Sequence, residues 1–218
     1  MKKMILILIG IVILLVAQVY AYDDGDFQVW NTEVQEFKIN KSLKLALEEE
    51  FRWGDDASEF YYQHYDLGLT YILNNYLNIG GGYRQVYDLI KGKFKMENEP
   101  YINLTLTLKK GGLNFESRNR FEYRHFDYKA DAGRYRNKFT FRYPFKIVKF
   151  EVQPFLADEI LFGFGGTNQF NQNRLSCGSG FGITKNIKAE IYYMLVTTKS
   201  SGRWVDANVL GTKLKIVF

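Results

Sequence analysis

Charged residues, many of them arginine, recur at alternate positions in two neighbouring stretches of this chain. Residues 113–124 alternate between an apolar set and a charged set, and the charged set includes Glu116, Arg118, Arg120 and Glu122. Side chains two apart in a β-strand share one face, so these groups would form a single charged surface. Guanidinium groups bind carboxylates and phosphates through paired hydrogen bonds. This pattern predicts either an anion-binding surface or a network of ion pairs.

The second stretch, 134–143, repeats the pattern, with aromatic residues opposite basic ones. Further charged residues of the same parity lie in other alternating segments. The complete set of candidate lumen-lining residues is Arg52, Arg84, Glu116, Arg118, Arg120, Glu122, Arg124, Arg134, Arg136, Lys138, Arg142, Glu151 and Arg174. Basic residues outnumber acidic ones on this face. An open interior would therefore attract small anionic solutes, and a closed one would be plugged by interlocking Arg and Glu side chains.

No catalytic constellation is evident. The chain has two histidines, His64 and His125, and no serine in a recognisable nucleophile context. The histidines and the single cysteine, Cys177, have no metal-ligand spacing, and no glycine-rich phosphate loop is present. We therefore assign no catalytic residue, metal or cofactor, and keep an outer-membrane lipid-modifying hydrolase as an alternative function.

The N-terminus has the three parts of a secretory signal. Lys2 and Lys3 precede an apolar run from Met4 to Val16, and Ala21 provides a small residue for cleavage. The run is shorter than the roughly 20 residues that a membrane-spanning helix needs. We expect a cleavable signal peptide over 1–21 and one domain over 22–218.

Period-2 alternation continues through most of the remaining chain, which predicts β-strands. The clearest segments are 43–53, 101–109, 113–124, 134–143, 187–195 and the C-terminal segment, and weaker ones are 27–38, 60–73, 76–87, 149–162 and 172–183. The expected fold is all-β: a single antiparallel up-and-down transmembrane β-barrel of ten to twelve strands.

The predicted connections alternate in length. Short turns are expected near Asn40-Lys41, Asn74-Asn75, Lys110-Gly111, Pro144-Phe145 and Lys185-Asn186, and longer loops over about 54–59, 88–99, 125–133, 163–170 and 197–203. Short turns at one end and long loops at the other are typical of bacterial outer-membrane barrels, which have even strand numbers. The eleven segments therefore suggest ten strands, with 27–38 outside the barrel, or twelve.

The apolar face is expected to lie outside. Aromatic residues make up 17% of the chain, and tyrosine or tryptophan falls near many segment ends, as in the interfacial girdles of membrane barrels. The alternative is a periplasmic ligand carrier of lipocalin type, whose apolar face would line the cavity.

Several short motifs resemble one bacterial family. They are Asp26-Phe27-Gln28-Val29-Trp30, Glu49-Glu50-Phe51-Arg52, Gly82-Tyr83-Arg84, Arg120-Phe121-Glu122-Tyr123-Arg124, Arg134-Tyr135-Arg136-Asn137-Lys138 and Asn173-Arg174-Leu175. Their order resembles the exported proteins catalogued as domain of unknown function 2490. The resemblance implies a small outer-membrane barrel of undefined activity and carries over no catalytic residue.

The expected partners follow from location. The terminal segment 213–218, ending in Phe218, is similar to the signal that outer-membrane proteins present to the barrel-assembly machinery. Lipid would surround the barrel, and an open lumen would admit small anionic solutes. A net charge of +5 is too small to indicate nucleic-acid binding. We expect a Gram-negative outer-membrane protein that is either structural or a narrow anion-preferring pore.

Overall fold

A computed structural model describes residues 24–147, 150–165, 169–200 and 202–218 of the chain. The predicted signal peptide and its cleavage site at Ala21 lie outside these residues. Within them, no helix is long and apolar enough to cross a membrane.

Strands account for most of the described residues. They are β1 (Asp26–Lys38), β2 (Leu43–Gly54), β3 (Glu59–Ile72), β4 (Leu77–Ile90), β5 (Lys93–Lys110), β6 (Leu113–Phe126), β7 (Ala132–Arg142), β8 (Phe145–Ile147), β9 (Phe150–Phe164), β10 (Gln169–Gly182), β11 (Ile187–Ser200) and β12 (Arg203–Val217).

These strands close into one barrel, and the predicted all-β, single-barrel fold is confirmed. Neighbouring strands pair in antiparallel fashion except at the closing seam. There β1 runs parallel to β12, with registers from Asp26 opposite Ala207 to Glu36 opposite Val217. A parallel closing pair is what an odd strand number requires, because the first and last strands then run in the same direction.

The expectation of an even strand number was therefore wrong. The ring contains eleven strands, and β8 pairs with β9 as an extra short strand. The suggestion that 27–38 lies outside the barrel was also wrong, because β1 pairs along most of its length with β2 as well as β12.

The predicted turn near Pro144-Phe145 does not exist. The backbone N–H of Tyr143 donates to the Pro154 carbonyl at 3.0 Å, and Phe145 pairs with Val152, so β8 continues the line of β7 along β9. Proline lacks a backbone N–H and interrupts the ladder without reversing the chain. β8 and β9 pair in antiparallel fashion, with Ile147 opposite Phe150.

Two of the predicted long loops are tight turns. The expected loop over 88–99 is a turn at Lys91-Gly92, where φ is 51° and 72°, between β4 and β5. The expected loop over 197–203 shortens similarly, since β11 extends to Ser200 and β12 starts at Arg203. In the Lys91-Gly92 turn, positive φ at both central residues is typical of the two-residue hairpin turns whose twist matches that of the flanking strands.

Loop length consequently does not distinguish the two ends of the barrel. The C-terminus lies at one end, where the Lys38 N–H donates to the Phe218 carbonyl at 3.1 Å. The start of β1 lies at the other end, where the Gly25 N–H donates to the Asp206 carbonyl at 2.7 Å. We call these the C-terminal end and the Asp26 end.

The outer wall is largely apolar and exposed. Leu67 is 49% exposed, Ile102 65% and Phe121 53%, on three different strands. The apolar wall is interrupted beside the seam, where Glu33 and Glu49 lie opposite each other on β1 and β2. The alternation in sequence thus places apolar side chains outward and charged ones inward.

One side of the lumen is apolar. Trp30, Met194, Val196 and Val209 form a buried cluster. Next to it, the Tyr192 ring occupies the space that a side chain at Gly211 would need, so glycine at this position allows the tyrosine to lie across the lumen.

Candidate functional site

The centre of the lumen holds a chain of ion pairs built on Glu122. Its side chain is completely buried and is bonded by Arg134 and Arg136, the latter at 3.1 Å. Arg134 also bonds Glu99 at 2.6 Å, and Arg136 bonds Glu159 at 2.9 Å. Two arginines on β7 therefore link carboxylates from β5, β6 and β9 into one network.

The network extends in both directions. Glu159 also accepts hydrogen bonds from Arg118 at 3.1 Å and Arg174 at 3.5 Å. On the other side, Arg124 pairs with Glu97 through its Nη2 at 2.7 Å and with Glu99 at 3.2 Å. Five arginines thus surround the central carboxylates.

A second group lies against the first, around Asp66. Arg84 bonds Asp66 at 2.9 Å, and the Tyr101 hydroxyl donates to its other oxygen at 2.6 Å. Arg120 stacks over the Tyr101 ring at 3.9 Å and donates to Asn103 at 2.8 Å. The absence of a side chain at Gly82 leaves room for the Tyr101 ring.

His64 and Arg52 continue this group toward the Asp26 end. His64 is 1% exposed, and its Nδ1 lies 3.1 Å from the Tyr62 hydroxyl. The Arg52 guanidinium lies between the rings of Trp30, at 3.5 Å, and Tyr62, at 3.9 Å. Its Nη2 bonds Glu50 at 2.5 Å, so this cation is held on three sides.

Lysines dominate the C-terminal end of the lumen. Lys215 bonds Glu36 at 2.7 Å, and Lys213 bonds Glu48 at 3.1 Å. Arg142 reaches across from β7 to Glu190 on β11 at 3.1 Å. Lys215 and Glu36 lie on the paired strands β12 and β1, whereas the contacts of Lys213 and Arg142 join strands that are not neighbours and so cross part of the interior.

The predicted candidates divide into two groups. Ion pairs include Arg52, Arg84, Arg118, Glu122, Arg124, Arg134, Arg136, Arg142 and Arg174, and also Arg120, which lies 3.7 Å from Glu122. Lys138 lies on the same face, opposite Arg118. Glu116 is exposed, and the Glu151 carboxylate accepts from Gln153 at 2.6 Å. Among the residues that the structure describes, no arginine forms the expected pair with Glu116 or Glu151.

Carboxylates of the inward face accept most of the arginine hydrogen bonds. They are Glu50, Asp66, Glu97, Glu99 and Glu159, and Glu48 bonds Lys213. Alternation assigns all of these except Glu97 to the inward face; Glu97 was missed although it has the same parity as Glu99. Alternation does not show which carboxylate meets which guanidinium, since the partners often lie on non-adjacent strands.

A separate polar cluster orders the loop between β6 and β7. The Asp131 carboxylate accepts from the Tyr123 hydroxyl at 2.6 Å, from the His125 ring at 3.0 Å and from the Phe126 N–H at 3.2 Å. The hydrogen bond from Tyr123 and that from His125 lower the pKa of Asp131 to about 2. No serine hydroxyl of the described residues bonds either histidine, which leaves the hydrolase alternative without geometric support.

A cavity of about 300 Å³ opens into the lumen at the Asp26 end. Charged, aromatic and apolar residues line it: Asp26, Gln28, Trp30, Arg52, Tyr61, Tyr62, Asp88, Gln172, Arg174, Val196, Thr198, Val205, Asp206 and Ala207. Within the described part of the chain, no group of three or more His, Cys, Asp or Glu residues could hold a metal ion.

A family model covers most of the chain. The model of a family described as "Protein of unknown function (DUF2490)" matches residues 27–207, which confirms the resemblance seen in the sequence motifs. A search of curated proteins found no match.

Proposed function

Because the chain belongs to the DUF2490 family, whose description gives no activity, we propose a function from geometry: a closed outer-membrane barrel with a lumen sealed by Arg/Glu ion pairs. It would act as a structural or ligand-binding barrel and not as a pore. The Gram-negative outer membrane is the proposed location.

The observation that carries this proposal is the burial of the central network. The side chains of Glu122, Glu99 and Glu159 are 0%, 2% and 5% exposed, although all three lie on the inside of the ring. A barrel of about eight strands is just filled by its side chains. Eleven strands enclose more space, and here long, paired arginine side chains fill it.

The energetics of the network favour a seal. Charges removed from water are stabilised only when they are paired and hydrogen-bonded. An ion path would need some of these groups to exchange their partners for a passing solute. Arg136 donates to two carboxylates at once, so releasing it would leave both Glu122 and Glu159 short of a partner.

Membrane insertion is supported by the outer wall and by closure. Lipid cannot satisfy open backbone groups, and a closed ring leaves none along its edges. The exposed leucine, isoleucine and aromatic side chains provide an apolar surface that water would not favour.

The C-terminal segment is the proposed recognition signal for the barrel-assembly machinery. Phe218 is 60% exposed and stacks on Phe37 at 4.9 Å. With the C-terminus in the periplasm, the cavity at the Asp26 end would open toward the outside of the cell.

Planar-bilayer recording of the refolded barrel tests the seal. We expect no steady current from the wild-type protein, because the central network fills the lumen. Replacing both Arg134 and Arg136 by alanine should introduce a leak, since it removes the side chains that link three carboxylates. Glu116→Gln, outside the network, is the matched control and should remain silent. A steady anion-selective current through the wild-type barrel would contradict the proposal and favour the pore.

A further inference from the structure

The cavity at the Asp26 end has polar groups of two kinds. Some already make several hydrogen bonds or ring contacts within the protein. Gln28 accepts from Trp30 at 2.9 Å and from the Tyr61 hydroxyl at 2.7 Å, and it donates to Asp26 at 2.9 Å. Arg52 is held by Glu50 and by two aromatic rings. These groups build the wall and floor of the cavity and have little capacity left for a ligand.

Asp88 is different. Its side chain lines the cavity and is partly buried, yet it makes no hydrogen bond or ion pair with the residues that the structure describes. A carboxylate in such a position normally has a partner. The charges of Arg52, Arg124 and Lys129 act on this carboxylate, but none of these cations bonds it in the described part of the chain, so its oxygens can still accept hydrogen bonds from a ligand.

Arg174 is the complementary group. Its Nε donates to Gln172 at 2.8 Å, and its Nη1 reaches Glu159 at 3.5 Å. Glu159 is shared with Arg118 and Arg136, so it balances only part of the Arg174 charge. No hydrogen bond occupies Nη2 within the described ranges. The guanidinium retains capacity for an anionic group.

The two groups lie on opposite sides of the cavity. Asp88 is on β4 and Arg174 on β10, which are about half the ring apart in the eleven-strand order. A purely anionic ligand would be repelled by Asp26, Asp88 and Asp206, and a purely cationic one by Arg52 and Arg174. Only a ligand with both charges, well separated, satisfies the two sides.

We propose that the cavity binds a small zwitterionic solute of short-peptide size, with its ammonium group at Asp88 and its carboxylate at Arg174. An extended tripeptide spans about 10 Å, which suits charges held on opposite walls. Val205 and Ala207, which are partly exposed and line the cavity, would contact its uncharged middle. This proposal rests on the sealed lumen, which makes the cavity a closed-ended site instead of a pore entrance.

Isothermal titration calorimetry in detergent micelles tests the site with three probes. Triglycine carries both charges, N-acetyl-triglycine only the carboxylate and triglycine amide only the ammonium group. We expect triglycine to bind tightest. Asp88→Asn should weaken triglycine and triglycine amide about tenfold and leave N-acetyl-triglycine unchanged, as expected for loss of one charge-assisted hydrogen bond.

Arg174→Gln should show the reverse selectivity, weakening triglycine and N-acetyl-triglycine only. Arg174→Lys should retain most of the binding, because it keeps the charge. Asp55→Asn and Arg203→Gln are controls with the same charge changes, near the same end and outside the cavity lining. A difference in gel mobility between heated and unheated samples verifies that every variant is folded.

No binding of triglycine to the wild-type barrel, or equal losses in the cavity variants and their controls, would overturn the proposal. The same protein samples, recorded in planar bilayers, report on the seal separately. A silent barrel without binding rejects the ligand alone, whereas a conducting barrel rejects the proposed function.

Discussion

Arg136 holds the most central position among the luminal side chains. It donates four hydrogen bonds to two carboxylates, Glu122 and Glu159, at 2.9–3.2 Å. Ion pairs of this kind contribute little net stability compared with an apolar core, but removing one partner leaves the other charge buried and unpaired. The network therefore makes the fold sensitive to single substitutions.

Arg136→Ala should consequently lower the free energy of unfolding by about 3–5 kcal/mol. Arg118→Ala is the matched control, because Arg118 bonds the same Glu159 with a single 3.1 Å hydrogen bond and a side chain that is 30% exposed. Its loss should be clearly smaller. Urea unfolding of both variants in vesicles measures the difference, and equal losses would show that the central pairing is not what stabilises the lumen.

The sequence identified the charged side chains but not their contacts. Alternation predicted the inward face because a strand places every second side chain on one side, and a slip of one residue would move all the charges to the outer wall. Contacts such as Arg142 with Glu190 join β7 to β11 across the barrel, so they depend on barrel diameter and tilt. Neither quantity can be obtained from local spacing.

At the scale of elements, the parallel seam between β1 and β12 is the unexpected feature. The sequence pattern does not show which strand pairs with β1 when the ring closes, because β1 and β12 lie at opposite ends of the chain. The 27–38 segment alternates poorly because Trp30 and Val34 are buried in the lumen while Glu33 faces outward. The sequence pattern of 27–38 therefore did not by itself predict a full barrel strand.

Cysteine cross-linking tests the seam. In a Cys177→Ser background, Glu33→Cys and Leu214→Cys should form a disulfide, because these residues are register partners in the parallel pair. Pairing Glu33→Cys with Lys213→Cys is the control, since the Lys213 side chain points into the lumen. Gel mobility without reductant reports the bond. If only the control pair cross-linked, or neither did, β1 would not be paired with β12 in this register.

The turn at Lys91-Gly92 shows a second limit of sequence reasoning. Residues 93–99 alternate lysine and glutamate with Phe94, Met96 and Asn98, and their charge suggested a solvated loop. In the barrel these charges lie on the luminal face of β5, where Glu97 and Glu99 meet Arg124. A charged strand resembles a loop when its partners are far away in sequence.

The β6–β7 loop should respond to acid in a defined range. Because the pKa of Asp131 is lowered to about 2, its contribution to loop order is complete above the ordinary carboxyl pKa of about 3.9 and is lost only as pH falls through about 2. We expect amide protection at Phe126, whose N–H donates to Asp131, to persist to pH 4 and to fall near pH 2. Loss of protection already at pH 5 would contradict this.

Asp131→Ala removes all three hydrogen bonds and should speed tryptic cleavage after Lys129 at neutral pH. Cleavage after Lys91, in the neighbouring tight turn, provides an internal reference and should not change. Equal acceleration at both sites would indicate general loosening of the barrel instead of a local effect.

At the scale of the whole molecule, one cluster of polar groups on the outer wall is paired within itself. Asn137 donates to Ser117 at 3.1 Å and to Asn119 at 3.0 Å, and the Tyr135 hydroxyl donates to Asn119 at 2.6 Å. A surface facing lipid needs such internal pairing because acyl chains offer no hydrogen bonds. This cluster follows the same rule as the central luminal network, whose polar groups are also bonded within the protein.

The most direct test of the central claim, that the apolar wall faces lipid, compares two arginine substitutions on β5. Leu104 and Phe94 are 42% and 43% exposed on the same outer face, with Leu104 inside the strand and Phe94 next to a turn. In phospholipid vesicles, Leu104→Arg should cost about 2–4 kcal/mol of unfolding free energy and Phe94→Arg about 0–1 kcal/mol, because the penalty depends on depth in the bilayer. A barrel whose outer wall faces water would lose almost nothing in either variant, and that result would contradict the account.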